Sequence, residues 1–249
     1  LTKWGSYGTG DGQLNAPHGI AVDQNGNIYV VENGNHRVQK FTSDGVFLAK
    51  WGSEGSGEGE FNMPTGMALD AAGNVYVTDM SNHRVQKFSP DGGYLAEWGG
   101  EGSEEGQFSY PWGVAIDSSG DVYVTDTAPN HRIQKFTSDG QFITKWGSEG
   151  SGEGEFSYPC SVAVDRAGNA YILDRDNHRI QKFTSEGKFL AKWGSEGSGE
   201  GQFRGDASVS VDDSGNVYVA ERNSIQVFTS DGSFIARWGS SGSGEGRVQ

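Results

Sequence analysis

Four of the five histidines stand at one place in a recurring phrase: Asn35-His36-Arg37, Asn82-His83-Arg84, Asn130-His131-Arg132 and Asn177-His178-Arg179. Imidazole is a common metal ligand and a proton carrier near neutral pH, so a converging set would make a metal or acid–base centre. One histidine per repeat does the opposite: it spreads the set around an array, where repeated residues serve packing between neighbouring units. Only His18 lies outside the phrase, and one imidazole does not build a metal site. No metal ligand set is expected.

The acid–base pattern reads the same way. Glu32, Asp79, Asp126 and Asp174 each precede an arginine, Arg37, Arg84, Arg132 and Arg179, across a short loop, and Glu221 ends the matching stretch of a fifth, more divergent copy. A carboxylate and a guanidinium at that spacing form a charge-assisted hydrogen bond that pins the loop. Catalysis needs one site to differ from its copies, whereas these four nearly agree, so they are read as structural loop pairs.

The links between copies, GSEGSGEGEF from Gly52 and from Gly147, GGEGSEEGQF from Gly99 and GSEGSGEGQF from Gly194, gather glutamates on one side of the array. A divalent cation at these acidic connectors is the weak alternative to no cofactor at all. They lack the alternating Asp/Asn ligands of a calcium loop, and Ser/Gly/Glu runs are ordinarily solvated links. Phe61, Phe108, Phe156 and Phe203, which close the links, are expected to anchor them in the core. Cys160 is the single cysteine, so no intrachain disulfide exists, and it would act as a nucleophile only with a base beside it. No phosphate loop, HExxH pattern or serine elbow is present.

The elements that position these residues follow from the copies themselves. Gly66 to Phe88 is matched by stretches starting at Gly19, Gly113, Ser161 and Ser208. Each carries two β-rich runs joined by a Gly-containing turn, then a third run, then another Gly turn into a fourth run that ends in Trp-Gly. Each copy is therefore a four-stranded antiparallel meander. Its first run is apolar on both faces, as GIAVD and GVAID show, and is expected to be the most buried strand, with the third and fourth wetter. One copy orders too many residues for the apolar area it buries, so the copies must stack.

Trp-Gly pairs at Trp4, Trp51, Trp98, Trp146, Trp193 and Trp238 give a period of 45 to 48 residues. That period with four strands per unit predicts an all-β β-propeller in one domain over residues 1–249. The blades fall at roughly 14–51, 61–98, 108–146, 156–193 and 203–238. Five blades are expected, with six as the rival count, because the outer strand occurs once more than the other three. The extra copy, residues 1–4, is a candidate strand for closing the ring.

Subtracting the repeat leaves the start of each first strand: Pro17-His18, Pro64-Thr65, Pro111-Trp112, Pro159-Cys160 and Asp206-Ala207. These positions belong at the mouth of a central channel, on the connector side, and Tyr110 and Tyr158 precede two of the prolines. His18, Thr65, Tyr110, Trp112, Tyr158 and Cys160 are the candidate ligand-binding residues, since aromatic rings with polar tips on a concave rim suit ligand or protein contact.

Charge narrows the partners. Nineteen basic against 33 acidic residues give a net charge of −14, which repels phosphate backbones and disfavours nucleic acid. No apolar run reaches the length of a membrane helix and the first residues lack the apolar core of a signal peptide, so no membrane role is expected and the compartment stays open.

The four Asn-His-Arg phrases, with GNIYV or GNVYV before and a turn after, resemble the NHL repeat family of β-propellers over nearly the whole chain. The resemblance implies a toroid, usually of six blades, with the first strand lining the channel. It does not imply one function: relatives include RNA-binding and ubiquitin-ligase targeting domains, bacterial sensors, and metal-dependent lyases that place several histidines in the channel. The expectation is a non-enzymatic binding or scaffolding propeller for a protein, peptide or small ligand. The alternatives are a metal-dependent lyase or hydrolase at the channel, and a structural array that self-associates through its terminal strands.

Overall fold

Two turns build every blade. In the first, Asp70 Oδ1 accepts the N–H groups of Ala72 at 3.0 Å and Asn74 at 2.8 Å, and Gly73 takes a φ of 83° that lets the chain reverse. The same aspartate turn recurs at Asp23, Asp117, Asp165 and Asp212. In the second turn Gly92 sits at a φ of 86° with the ring of Trp51, from the preceding blade, where a Cβ would be. A side chain there would displace the tryptophan.

The computed structural model describes residues 3–205 and 207–239. Blade 1 comprises Pro17–Val22, Ile28–Glu32, Arg37–Phe41 and Phe47–Trp51 from the inside outward, and blade 2 comprises Pro64–Leu69, Val75–Asp79, Arg84–Phe88 and Tyr94–Gly99. Blade 3 is Pro111–Ile116, Val122–Asp126, Arg132–Phe136 and Phe142–Trp146; blade 4 is Pro159–Val164, Ala170–Asp174, Arg179–Phe183 and Phe189–Trp193. Blade 5 is Ala207–Val211, Val217–Glu221, Ser224–Phe228 and Phe234–Trp238. Every neighbouring pair within a blade is antiparallel. The inner strands of all five line one channel, so the architecture is a five-bladed β-propeller.

Among the described residues four apolar cores lie between consecutive blades. At the first, the Trp51 ring meets Phe88 at 6.0 Å, and Phe61, which is fully buried, meets the same ring at 5.5 Å. The Tyr29 hydroxyl and Lys40 ammonium both donate to the Pro90 carbonyl of the next blade, at 3.3 and 3.1 Å. Burying both faces of a blade in this way is what a single meander lacks.

The burial order corrects one expectation from the sequence. The second and third strands are the most buried, wholly so in Val75–Asp79 and Val122–Asp126, whereas the inner strand borders the channel and the outer strand alternates between half-buried and exposed. The middle strands are sandwiched by both neighbouring blades. Their polar residues are absorbed by hydrogen bonds: Gln86 is fully buried, donating to the Glu60 carbonyl at 2.7 Å and accepting from Gly59 N–H at 2.9 Å.

The seam between blades 5 and 1 differs from the other interfaces. Ile20 is 66% exposed, while its counterparts Met67, Val114, Val162 and Val209 are all buried. On the other side Trp238 is 49% exposed. The extra outer strand, the candidate for closing the ring, is described only in part. Leu1 and Thr2 lie outside the described residues, and Lys3 and Trp4 join no sheet. Trp4 packs on blade 1, its ring 4.6 Å from Phe41 and over Gly45, the seat that Trp51, Trp98, Trp146 and Trp193 each take on the blade that follows.

Candidate ligand-binding site

The second loop of each of blades 1 to 4 is tied to its own connector, and in blades 1 to 3 also to the next blade. In blade 4, Arg179 Nε lies 2.7 Å from Asp174 Oδ2, both buried, and its other nitrogens donate to the carbonyls of Ser151 at 2.6 Å and of Gly152 and Glu155 at 2.8 Å. Asn177 donates to the Gly150 carbonyl and to Asp174. The other pairs repeat this, with Arg37–Glu32 at 2.6 Å, Arg84–Asp79 at 2.9 Å and Arg132–Asp126 at 3.1 Å. Burial pushes the Asp126 carboxyl up, with hydrogen bonds from Asn130 and Ser109 and the Arg132 charge acting against it.

The histidines perform the other half. His36, His83, His131 and His178 all occupy the left-handed region, at φ of 51°, 55°, 46° and 54°, which aims each ring out of its loop. His36 Nδ1 accepts the Met63 N–H at 3.3 Å and His131 Nδ1 accepts the Tyr158 N–H at 3.1 Å, while His83 Nδ1 meets the Ser109 carbonyl. Each contact holds the residues just before the next inner strand, where Met63 and Tyr158 are themselves left-handed. Among the described residues no three His, Cys, Asp or Glu side chains converge as a metal site, and this includes the connector glutamates.

The residues singled out at the channel mouth separate into two groups. His18 of blade 1 is exposed, and its ring meets Trp112 of blade 3 at 5.2 Å, edge to face. Trp112 meets Tyr158 of blade 4 at 5.9 Å, and the Arg175 guanidinium lies over the Tyr158 ring at 4.9 Å. Tyr110, 44% exposed, stacks near His83 at 5.7 Å. Thr65 is fully buried instead: its hydroxyl is 3.0 Å from that of Thr78 and donates to the Trp112 carbonyl at 3.0 Å. Cys160 is buried in the core between blades 4 and 5. Asp206 lies outside the described residues.

Beneath this rim the channel holds a cavity of about 490 Å³, lined by His18, Thr65, Trp112, Cys160 and the inner strands of all five blades. The sequence reading missed Arg175, whose position in the other copies is Asn33, Met80, Thr127 and Arg222, and it missed the buried glutamines altogether. The Arg175 signal was its disagreement with blades 1 to 3, an arginine recurring only as Arg222 of blade 5.

Stacked four-stranded blades around one channel, with a loop histidine latching each of blades 1 to 3 to the next, define a repeat β-propeller. The chain belongs to the NHL repeat family, whose repeat model matches residues 14–41, 61–88, 108–136 and 156–183. Among curated proteins it is similar to protein lin-41 of Caenorhabditis elegans, 45% identical over 49 residues, covering 20% of this chain and 4% of that protein. It is also similar to the B-box type zinc finger protein ncl-1 of the same organism, 42% identical over 45 residues, covering 18% of this chain and 5% of that protein. The chain thus spans a small fraction of those relatives' length.

Solved structures share the fold. The nidogen/laminin complex aligns with a TM-score of 0.70 at 16% identity, over 91% of this chain and 81% of that one. A gluconolactonase from Xanthomonas campestris gives 0.67 at 14%, over 94% and 79%. Virginiamycin B lyase from Staphylococcus aureus gives 0.65 at 16%, over 89% and 69%. At these identities the likeness is one of fold alone.

Proposed function

We propose that this protein is a non-enzymatic binding or scaffolding propeller that presents its connector face and channel mouth to a protein, peptide or small ligand. One observation carries the reading: His18, Trp112 and Tyr158, from three different blades, meet in an aromatic line over the channel at positions where the repeat does not dictate the residue. Latch residues agree from blade to blade because they hold blades together, whereas His18 and Trp112 have no identical counterpart in another blade. Rigid rings with polar edges over a cavity suit a ligand that stacks and hydrogen-bonds. The nidogen/laminin likeness supports a protein partner at the level of fold.

The test is affinity capture of partners on immobilised protein, followed by titration of each captured partner against the wild type and Trp112→Ala. The reading requires the Trp112→Ala variant to lose binding while keeping its melting temperature. Equal affinity of the two proteins overturns it.

A lyase or hydrolase acting at the channel is the competing reading, supported by the fold shared with virginiamycin B lyase and gluconolactonase. Stoichiometric zinc, iron or calcium retained through dialysis, with turnover lost on its removal, would establish it. Self-association is favoured separately by the apolar residues exposed at the seam, Ile20 and Val22 on one side and Trp238 on the other. Sedimentation coefficients that rise with concentration, and cease to rise in Ile20→Asp, are its signature.

A further inference from the structure

Blade 5 departs from the others where its arginine should be. Five positions separate Asp174 from Arg179, but only three separate Glu221 from Ser224, so this loop is shorter and a serine takes the arginine's place. The slot that a guanidinium fills in blades 1 to 4 is here a cavity of about 340 Å³. Arg204, Arg222 and Arg237, all exposed, line it together with Glu221, Asn223 and Ser224. The corresponding residues of blade 4 are Ser157, Arg175 and Lys192, so no other blade gathers three guanidinium groups here.

The Ser198 carbonyl accepts from Arg237, which enters from the outer strand in place of the missing arginine. The Gln202 carbonyl accepts from Gln226 at 2.7 Å, and the Glu221 carboxylate accepts from the Arg204 backbone N–H at 2.7 Å and from Gln226 at 3.2 Å. The acceptors are served. Among the described residues the Arg204 and Arg222 side chains have neither an ion pair nor a hydrogen bond.

We propose that this slot binds a compact oxyanion, the carboxylate or phosphate group of a ligand, between Arg204 and Arg222 with Arg237 at its edge. Three guanidinium groups against one carboxylate leave the cavity cationic, and the planar donor fork of arginine matches the paired oxygens of such groups. The net charge of −14 on the whole chain works against an extended polyanion, so the ligand is a single anionic group and not a nucleic acid. The site shares no residue with the channel mouth and does not rest on the binding role proposed there.

Titration calorimetry at low salt, with inorganic phosphate and acetate as separate probes, tests the site on the full chain. The wild type should bind at least one probe saturably at one site per chain, and whichever binds tighter identifies the anionic group. Arg204→Gln with Arg222→Gln should weaken binding by about tenfold for each 1.4 kcal/mol of lost contact, whereas Arg166→Gln, an exposed arginine on another blade, should leave it unchanged. Ser224→Arg, which refills the slot, should abolish binding while the protein melts no lower than the wild type. Absence of saturable binding to either probe, equal loss in Arg166→Gln, or full binding in Ser224→Arg overturns the proposal.

Discussion

Arg179→Ala tests the central claim that the loop arginines hold each blade to its connector. Arg179 is 7% exposed and Asp174 is fully buried, and the guanidinium also serves three connector carbonyls. Removing one partner of a buried pair leaves the other charge uncompensated, at a cost of about 3–5 kcal/mol. Asp174 would keep the Ser157 N–H at 2.7 Å and the Asn177 amide at 2.9 Å, which puts the expected loss toward the lower end. At about 2–4 °C per kcal/mol for a chain of this size, scanning calorimetry should record a fall of roughly 6–20 °C. Amide exchange should rise first in the connector carrying Ser151 and Gly152. The control is Arg166→Ala, which breaks an ion pair of 2.6 Å whose side chains are 73% and 77% exposed. An exposed pair contributes about 0–1 kcal/mol, so that variant should melt close to the wild type. If the two variants fall by the same amount, the arginine is not a structural tie and the argument fails.

Gly66→Ala should destabilise by about 1–3 kcal/mol, because its Cβ would lie 2.4 Å from the Trp112 carbonyl of the next blade. Ser208→Ala, at the matching exposed position on the seam, should stay within about 0.5 kcal/mol, both read by urea denaturation. Trp4→Ala should cost on the order of 2 kcal/mol and open blade 1 locally, seen as faster amide exchange at Phe41 and Val46, since Trp4 covers Phe41. Burial pushes the Tyr123 phenol up to about 12, reinforced by the Asp117 charge and opposed by Lys135, and the phenols of Tyr29, Tyr76 and Tyr171 are shifted the same way. A phenol held protonated in the fold contributes stability that is complete below its unfolded value of 10.0 and is lost as pH rises toward 12. Phenolate absorbance from these rings should therefore appear together with loss of the β circular dichroism signal; absorbance rising fully while the fold persists would contradict it.

The blade was legible because its signals are local: β-rich runs, aspartate–glycine turns and a Trp-Gly period of 45 to 48 residues. The loop pairs were legible for the same reason, since Asp174 and Arg179 sit five residues apart. What the sequence concealed depends on contacts between blades. The His36 ring reaches Met63, 27 residues onward, and nothing near His36 specifies that. Thr65 looked like a variable mouth residue because its copies differ, yet its hydroxyl is spent on the Trp112 carbonyl, 47 residues away. The glutamines Gln39, Gln86, Gln134 and Gln181 looked like surface residues of a wet strand, and all are fully buried on connector amides. A polar residue type reports burial poorly when the fold supplies it with partners.

Among the described residues the four packed interfaces repeat one set of contacts, a tryptophan of one blade on a glycine turn of the next and a buried connector phenylalanine, whereas no blade 5 tryptophan takes that seat on blade 1, where Trp4 sits instead. An array joined only through consecutive interfaces behaves as a line, so its end blades open before its middle ones. The His18–Trp112 contact runs across that line: it ties blade 1 to blade 3 without passing through blade 2, and Tyr158 extends it to blade 4. A ligand seated on these three rings would couple the end blade to the centre of the array. Its binding free energy would then appear as protection of blade 1, by RT ln(1 + [L]/Kd), and not only at the contacting residues. A partner that raised the melting temperature while leaving amide exchange in blade 1 unchanged would have to bind elsewhere on the protein.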